Sequence, residues 1–344
     1  MLRIGDILSG LFRWAPASLA WERDNIGLLV GSAEDQVERI LVCLDVTPEV
    51  VREAVERDAR CIVAHHPVIF HPLKSLRTDR YPGNMLATLV RENIAVIAMH
   101  TNADAARNGL NHALAAALGL NEPRPLDAVR GQRRLLTVHG TLDASLLPRL
   151  RGDLAAEPDI HLFSQAAEDG GCTLQLDLPD WLLSRAHEHL VAVFGQSAAM
   201  VTTVALDGAL PQHGIGMVGM LETPQPVEDF LSCVKQALSC SMLRTTPFTA
   251  GRPVQRIAVS SGAGSSYVRA AIAAGADVLV TGDLTHHTFL DYQHDILLVD
   301  AGHFETEQLF IRLCEEELAR MVFQDKQKID ILRVRTDTNP VRFV

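Results

Sequence analysis

Cys61-Ile62-Val63-Ala64-His65-His66-Pro67-Val68-Ile69-Phe70 is the stretch whose reading decides the fold class. Its first four residues have strand character, His65-His66 ends the run, and Pro67 forbids simple continuation of a central strand. Two imidazoles therefore stand at a strand end, where open α/β proteins place their chemistry. Adjacent strand residues point to opposite faces, so a pair at a bend can serve two metal ions better than one. A turn with two surface histidines would carry the same letters. What recurs elsewhere in the chain separates the two.

Upstream, Arg39-Ile40-Leu41-Val42-Cys43-Leu44-Asp45 reads as a buried strand after a short amphipathic helix over 4–13 and a brief apolar strand closed by Gly31. Thr47-Pro48-Glu49 then opens a helix, with Thr47 as N-cap and Pro48 at the first helical position. Val50, Val51, Ala54 and Val55 make its inward stripe. Downstream, a helix over 83–93 leads to strand 94–99, which ends in His100-Thr101-Asn102-Ala103-Asp104; a helix over 108–118 closes at Gly119. This alternation predicts a largely parallel sheet with covered faces.

The pattern changes near Pro123-Arg124-Pro125. Strand 134–142, helix 144–155, strands 159–164 and 172–178, a helix from Pro179-Asp180-Trp181 to 194 and strand 199–207 give the order βαββαβ, the ferredoxin-like arrangement. His187 and His189 lie two apart on a helix and share no face. The α/β pattern resumes near Gly214 with a helix over 226–238, strand 256–260, a Ser/Gly turn, a helix over 266–274, and strands 278–281 and 296–300. A helix from His303 to 321 and a last strand over 329–335 follow.

The 344 residues exceed one ordinary domain, and 47% hydrophobic with 21% charged residues is the profile of a soluble globular protein. A net charge of −11 argues against nucleic acid or an anionic membrane as the main partner. The start of the chain lacks the layout of a secretory signal, and no apolar run is long enough to span a bilayer. Six scattered cysteines with no C-x-x-C pair read as reduced thiols of a cytoplasmic protein.

The second feature is Asp300-Ala301-Gly302-His303-Phe304-Glu305-Thr306-Glu307. His303 and Glu307 are four apart, so on a helix they share a face and can ligate one site, while Gly302 lets the chain turn tightly from strand to helix. An H-x-x-x-E pair alone is more often a surface ion pair. Yet His65, His66, Asp104, His303 and Glu307 together supply three imidazoles and two carboxylates from three strand ends. Such ligation suits Zn²⁺, Fe²⁺, Mn²⁺ or Co²⁺ in a two-metal site with a bridging carboxylate.

Trp21…Asp24-Asn25-Ile26-Gly27-Leu28-Leu29-Val30-Gly31, Ala64-His65-His66-Pro67, His100-Thr101-Asn102-Ala103-Asp104, Gly282-Asp283-Leu284-Thr285-His286-His287 and Asp300-Ala301-Gly302-His303…Thr306-Glu307 resemble, in family order, the Ngg-interacting-factor-three-like family. Its members are often labelled GTP cyclohydrolase one type two homologues. The resemblance implies a two-lobed α/β fold of mixed, mostly parallel sheets covered by helices, with a dinuclear metal centre between the lobes. It implies an N-terminal lobe over 1–125, an inserted ferredoxin-like, PII-like module over 126–212 and a C-terminal lobe over 213–344, assembled as a hexameric ring of dimers. By motif position His65 and His66 would each bind one ion, Asp104 would complete one, His303 the other, and Glu307 would bridge. His100 would lie beside them, behind the ligands or against substrate.

A metal pair lowers the pKa of bound water from about 15.7 toward ~7, which makes hydrolysis the expected reaction class. The family label points to a small nucleotide-type substrate and opening of a purine ring. His100, His286 and His287 are candidate proton carriers or substrate contacts, and Glu307 acts through the metals it bridges. Ser260-Ser261-Gly262-Ala263-Gly264-Ser265-Ser266 is where a phosphate could meet backbone amides, although a simple tight turn is the commoner meaning of such a stretch. The rival expectation is a metal-binding scaffold or regulatory ring without turnover.

Overall fold

Strand Cys61–Ala64 runs through the middle of a five-stranded sheet in the computed structural model, which describes residues 2–139, 143–166, 172–195, 200–324 and 328–342. The order across this sheet is Asp330–Arg333, Arg39–Cys43, Cys61–Ala64, Ala95–Ala98, Gly27–Val30, parallel except for the last pair. Every residue of Cys61–Ala64 and Ala95–Ala98 is buried, as near-continuous apolar runs require in a sheet covered on both faces. Register Cys43↔Ala64↔Ala98 brings the C-terminal ends of three strands level, so His65-His66, Asp45 and His100 emerge side by side.

Helix Pro48–Glu56 starts as its sequence predicts, with the Thr47 hydroxyl accepting from Val50 N. Val50, Val51 and Ala54 pack with Leu41, Ile62, Leu89 and Val96. Val55, expected in that stripe, is instead 42% exposed. The buried position goes to Glu53, whose carboxylate accepts from Arg335 N, Thr336 N, Thr336 Oγ1 and Arg57 Nη1. A carboxylate is tolerated there because these donors replace its water.

Burial works against ionisation of Glu53, but the backbone amides of Thr336 and Arg335, then the side chains of Thr336 and Arg57, outweigh it and lower its pKa. A carboxyl lowered on folding adds stability above its unfolded pKa, and that stability is lost as pH falls through the folded value. Glu53→Gln is therefore expected to cost about 1–2 kcal/mol at neutral pH. Urea titrations of both proteins from pH 7 downward should show the gap closing below about pH 4.5. A gap independent of pH would contradict the assignment.

A second, six-stranded sheet is ordered Arg244–Thr245, Leu297–Asp300, Val278–Gly282, Pro253–Ala263, Ala209–Pro226, Asn121–Arg130, with its three central strands parallel to one another. Both faces are covered: Phe230, Val234 and Leu114 pack with Val259 and Val280 on one, Val268 and Ala271 with Ala258 and Leu279 on the other. The helix expected from His303 to 321 is two pieces, His303–Glu307 and Leu309–Gln324. Between them the Gln308 side-chain amide donates to Leu238 O. His100 caps a short helix, Thr101–Ala105, that hydropathy did not announce because all five of its residues, polar ones included, are buried.

Internal contacts divide the chain into two units, Met1–Asp127 with His213–Val344, and Ala128–Gln212. The first holds both sheets above. The second has strands Arg133–His139, His161–Ala166, Cys172–Pro179 and Met200–Leu206 in an antiparallel sheet, with helices Leu147–Leu154 and Leu183–Phe194. Leu136, Leu174, Leu176, Leu150 and Leu190 form its own core. The end of the strand expected over 134–142 lies outside the described residues. No described helix is long and apolar enough to cross a membrane.

Candidate metal centre

Three histidines and one glutamate converge where the strand ends meet. His65 is fully buried, and its Nδ1 lies 2.8 Å from Met99 O. A carbonyl oxygen only accepts, so Nδ1 carries the proton and Nε2 faces the cluster with its lone pair. The same device repeats on carboxylates: His66 Nδ1 to Asp45 Oδ1 at 2.8 Å, His303 Nδ1 to Asp283 Oδ2 at 2.7 Å, and His100 Nδ1 to Asp24 Oδ1 at 2.8 Å. Four rings are thereby fixed in tautomer and orientation, as the partners behind metal-binding histidines do.

Glu307 sits 4% exposed among them. Its Oε2 is 3.1 Å from both His66 Nε2 and His303 Nε2, and its Oε1 is 3.7 Å from His65 Nε2. Neither His65 Nε2 nor Glu307 Oε2 makes a hydrogen bond, although both atoms are buried. Buried polar atoms without partners are costly, and a cation beside each would satisfy them. The donor set fits a borderline divalent ion.

Donor atoms of His65, His66 and His100 lie within 4.8 Å of one another, and so do those of His66, His303 and Glu307. Asp104 joins neither triad among the described residues; its Oδ1 is 3.8 Å from His65 Nε2 and accepts from Ser261 Oγ at 3.0 Å. His286 and His287 begin helix His286–Tyr292, exposed, with ring centroids 5.6 Å apart. Among the described residues no hydrogen bond, ion pair or ring contact joins His287 to the cluster.

The local field favours positive charge. Burial opposes protonation of His66, yet its hydrogen bond to Asp45, the close approach of Glu307 and the charges of both hold its pKa up at about 10. For His303 the close approach of Glu307 is the largest influence and raises it to about 9. Burial would raise Glu307, but the charge of His65 and the close approach of the His303, His65 and His66 rings keep it well below the usual carboxylate range. Asp104 is pushed up, first by burial, despite the charge of His65. Burial also disfavours the Asp24 anion, and the bonds from His100 and Thr101 overcome it, down to about 2.

The Ser/Gly stretch makes contacts within the protein. Two of its amides are used inside the protein: Ser261 N donates to Asn111 Oδ1 at 2.9 Å and Gly262 N to Thr306 Oγ1 at 3.0 Å. Gly262 has φ +59, and a Cβ there would overlap Glu307 Oε1. So the turn presses the two carboxylates into place, Asp104 by hydroxyl and Glu307 by close approach. Gly302, with φ +98, supplies the sharp entry to His303 that the sequence predicts.

Asp24, Asp45 and Asp283 had no assigned role in the sequence. Sheet register explains Asp45: with Cys43 level with Ala64 in a parallel pair, Asp45 falls level with His66. Asp283→Asn keeps the shape and removes the charge behind His303, and is expected to weaken metal affinity about 10–100-fold. Chelator competition on wild type and variant checks this; equal affinities would remove Asp283 from the site.

The sequence profile of the Duf34/NIF3 family matches residues 2–340. The chain is 28% identical over 371 aligned positions to a Halalkalibacterium halodurans protein and 30% identical over 364 to one from Bacillus subtilis, both named GTP cyclohydrolase 1 type 2 homolog. Coverage is 99% of this chain and 99% of the relative in the first case, 96% of each in the second. Among solved structures it is similar to a Bacillus cereus protein related to NIF3, with a TM-score of 0.85 at 29% identity over 99% of both chains. A Staphylococcus aureus protein gives 0.77 at 26% identity, covering 100% of this chain and 99% of the other. Matched along nearly its whole length, the chain belongs to the Duf34/NIF3 (NGG1p interacting factor 3) family.

Proposed function

We propose that the cluster is a dinuclear metal centre and that the protein is a metal-dependent hydrolase of GTP cyclohydrolase-like type, acting on a nucleotide-type substrate. One observation carries this reading: the buried Glu307 Oε2 has no hydrogen bond, yet two imidazole nitrogens with fixed tautomers stand 3.1 Å from it. His65, His66, Asp104, His303 and Glu307 would hold the ions, with Glu307 between them. Two divalent ions (Zn, Fe, Mn or Co) would supply Lewis acidity and water with its pKa lowered toward ~7. The substrate class is taken from the name of the relatives.

The chain's own contribution is to orient and to move a proton. His100 offers Nε2 to the cluster while Asp24 grips its Nδ1, so the ring can take up a proton at Nε2 and return it without turning. His100 takes this role in preference to His287, because the rings of His100 and His65 are 5.3 Å apart. Burial of His65 and Glu307 excludes water from the inner side, which strengthens each electrostatic contact there.

Turnover of a nucleotide panel that includes GTP, by metal-loaded wild type and His100→Ala, tests the reading. Turnover by wild type, lost about 10²–10⁴-fold in a variant that keeps its metal, is the expected result. Full metal occupancy with no turnover of any nucleotide would overturn the hydrolase and leave a metal-binding scaffold.

Two finer assignments belong to the same reading. Ala128–Gln212 is proposed to be ferredoxin-like, supported by its βαββαβ order and by a sheet in which the first and third strands are central. A hexameric ring of dimers in the cytoplasm rests on the family resemblance and, for the compartment, on five cysteines free of disulfides among the described residues. Light scattering at six times the 37.6 kDa chain mass would support the ring.

A further inference from the structure

A cavity of about 600 Å³ opens beside His66 and His303, within the range of small-molecule sites. Phe304 lines it together with Met242 and Val341, each 55% exposed, large apolar side chains drawn from three separate segments. Arg244 reaches into the same cavity. Its guanidinium is pinned on one side: Nη2 donates to Leu284 O at 3.0 Å and to Asp300 Oδ2, and the group stands 5.6 Å over the Phe289 ring. Among the described residues its Nε and Nη1 have no partner, and the side chain is 62% exposed.

A guanidinium held rigid by a buried carboxylate, with free N–H groups facing a cavity, is preorganised to receive an anion. The charge of Arg244 is only partly spent, because Asp300 also accepts from Leu284 N and Gly302 N. The exposed apolar walls call for an apolar or aromatic body on the same ligand. From this juxtaposition we infer that the cavity binds a small organic anion, whose planar or apolar body lies against Met242, Phe304 and Val341 and whose carboxylate or phosphate pairs with Arg244. The inference rests on the hydrolase reading only in that it places the far end of this ligand at His66 and His303, and so names its substrate class. The C-terminal segment takes part through Asn339 and Val341: Asn339 Nδ2 donates to Glu305 Oε1 at 3.0 Å and Asn339 Oδ1 accepts from Val341 N at 3.0 Å, which fixes the outer wall.

Calorimetric titration of the full chain with four probes tests this: phenyl phosphate, benzoate, benzyl alcohol and inorganic phosphate, each with metal loaded and after chelation. At least one aromatic anion is expected to bind about tenfold tighter than benzyl alcohol and than inorganic phosphate. Arg244→Lys should lose about tenfold for that anion and nothing for benzyl alcohol, since lysine keeps the charge beside Asp300 but not the free fork. Val341→Glu, at an exposed position, should repel the anion without disturbing the fold. Preference for phenyl phosphate would make the site one for phosphate esters, and preference for benzoate one for carboxylates; both support it. Equal binding of neutral and anionic probes, or anion binding indifferent to both substitutions, would overturn it. Persistence of the Arg244 dependence after chelation separates this site from the ions: loss of the metal reading would leave it standing, and its own failure would leave the metal content unchanged.

Discussion

Glu307→Gln is expected to cost the protein at least half of its bound metal and to weaken what remains by more than about 10–100-fold, the usual cost of losing only a partner behind a ligand. The substitution is nearly isosteric, so packing around the buried side chain is kept and the charge alone is lost. Three imidazoles meet this one carboxylate, with Nε2 atoms 3.1 Å, 3.1 Å and 3.7 Å from its oxygens. No other described carboxylate reaches His66 Nε2 or His303 Nε2, so nothing nearby can take its place. Metal analysis after dialysis, followed by chelator competition, reads the effect. Wild-type content and affinity in the variant would mean that Glu307 is no ligand.

Phe310→Ala is expected to destabilise the fold by about 3–5 kcal/mol, the usual range for a fully buried phenyl ring. Phe310 has no exposed surface, and its ring lies 4.8 Å from that of His65. It is thus the floor on which the fully buried His65 rests. The cavity left behind gives His65 room to tilt, so chelator should also extract metal faster from folded variant protein. Guanidinium unfolding measures the first effect and the extraction rate the second. A loss under about 1 kcal/mol would mean that the surroundings collapse onto the site, against the tight packing assigned to it.

Strand ends were legible because they are local: an apolar run, then His65-His66, His100 or His303. The pairing that orients those rings was not. Asp24 lies 76 residues from His100 and Asp45 lies 21 from His66, and only sheet register brings each to its ring. A Gly-rich turn reads the same whether its amides face a ligand or the protein. Asn111, on a helix far back in the chain, decided the matter at Ser261. Val55 and Glu53 show a similar limit. Periodicity placed the valine inside, but the C-terminal segment offered Glu53 three donors, Arg57 a fourth, and together they made the charged residue the buried one. Asp104 was legible as a carboxylate near the site, and its partner Ser261, 157 residues away, was not.

The most direct test of the dinuclear centre is metal stoichiometry of wild-type protein purified without chelator, by plasma mass spectrometry against chain concentration. About two divalent ions per chain is the expected result, with both lost when the protein is unfolded. A protein that carries no metal, and takes up none when Zn²⁺, Fe²⁺, Mn²⁺ or Co²⁺ is supplied, would contradict it.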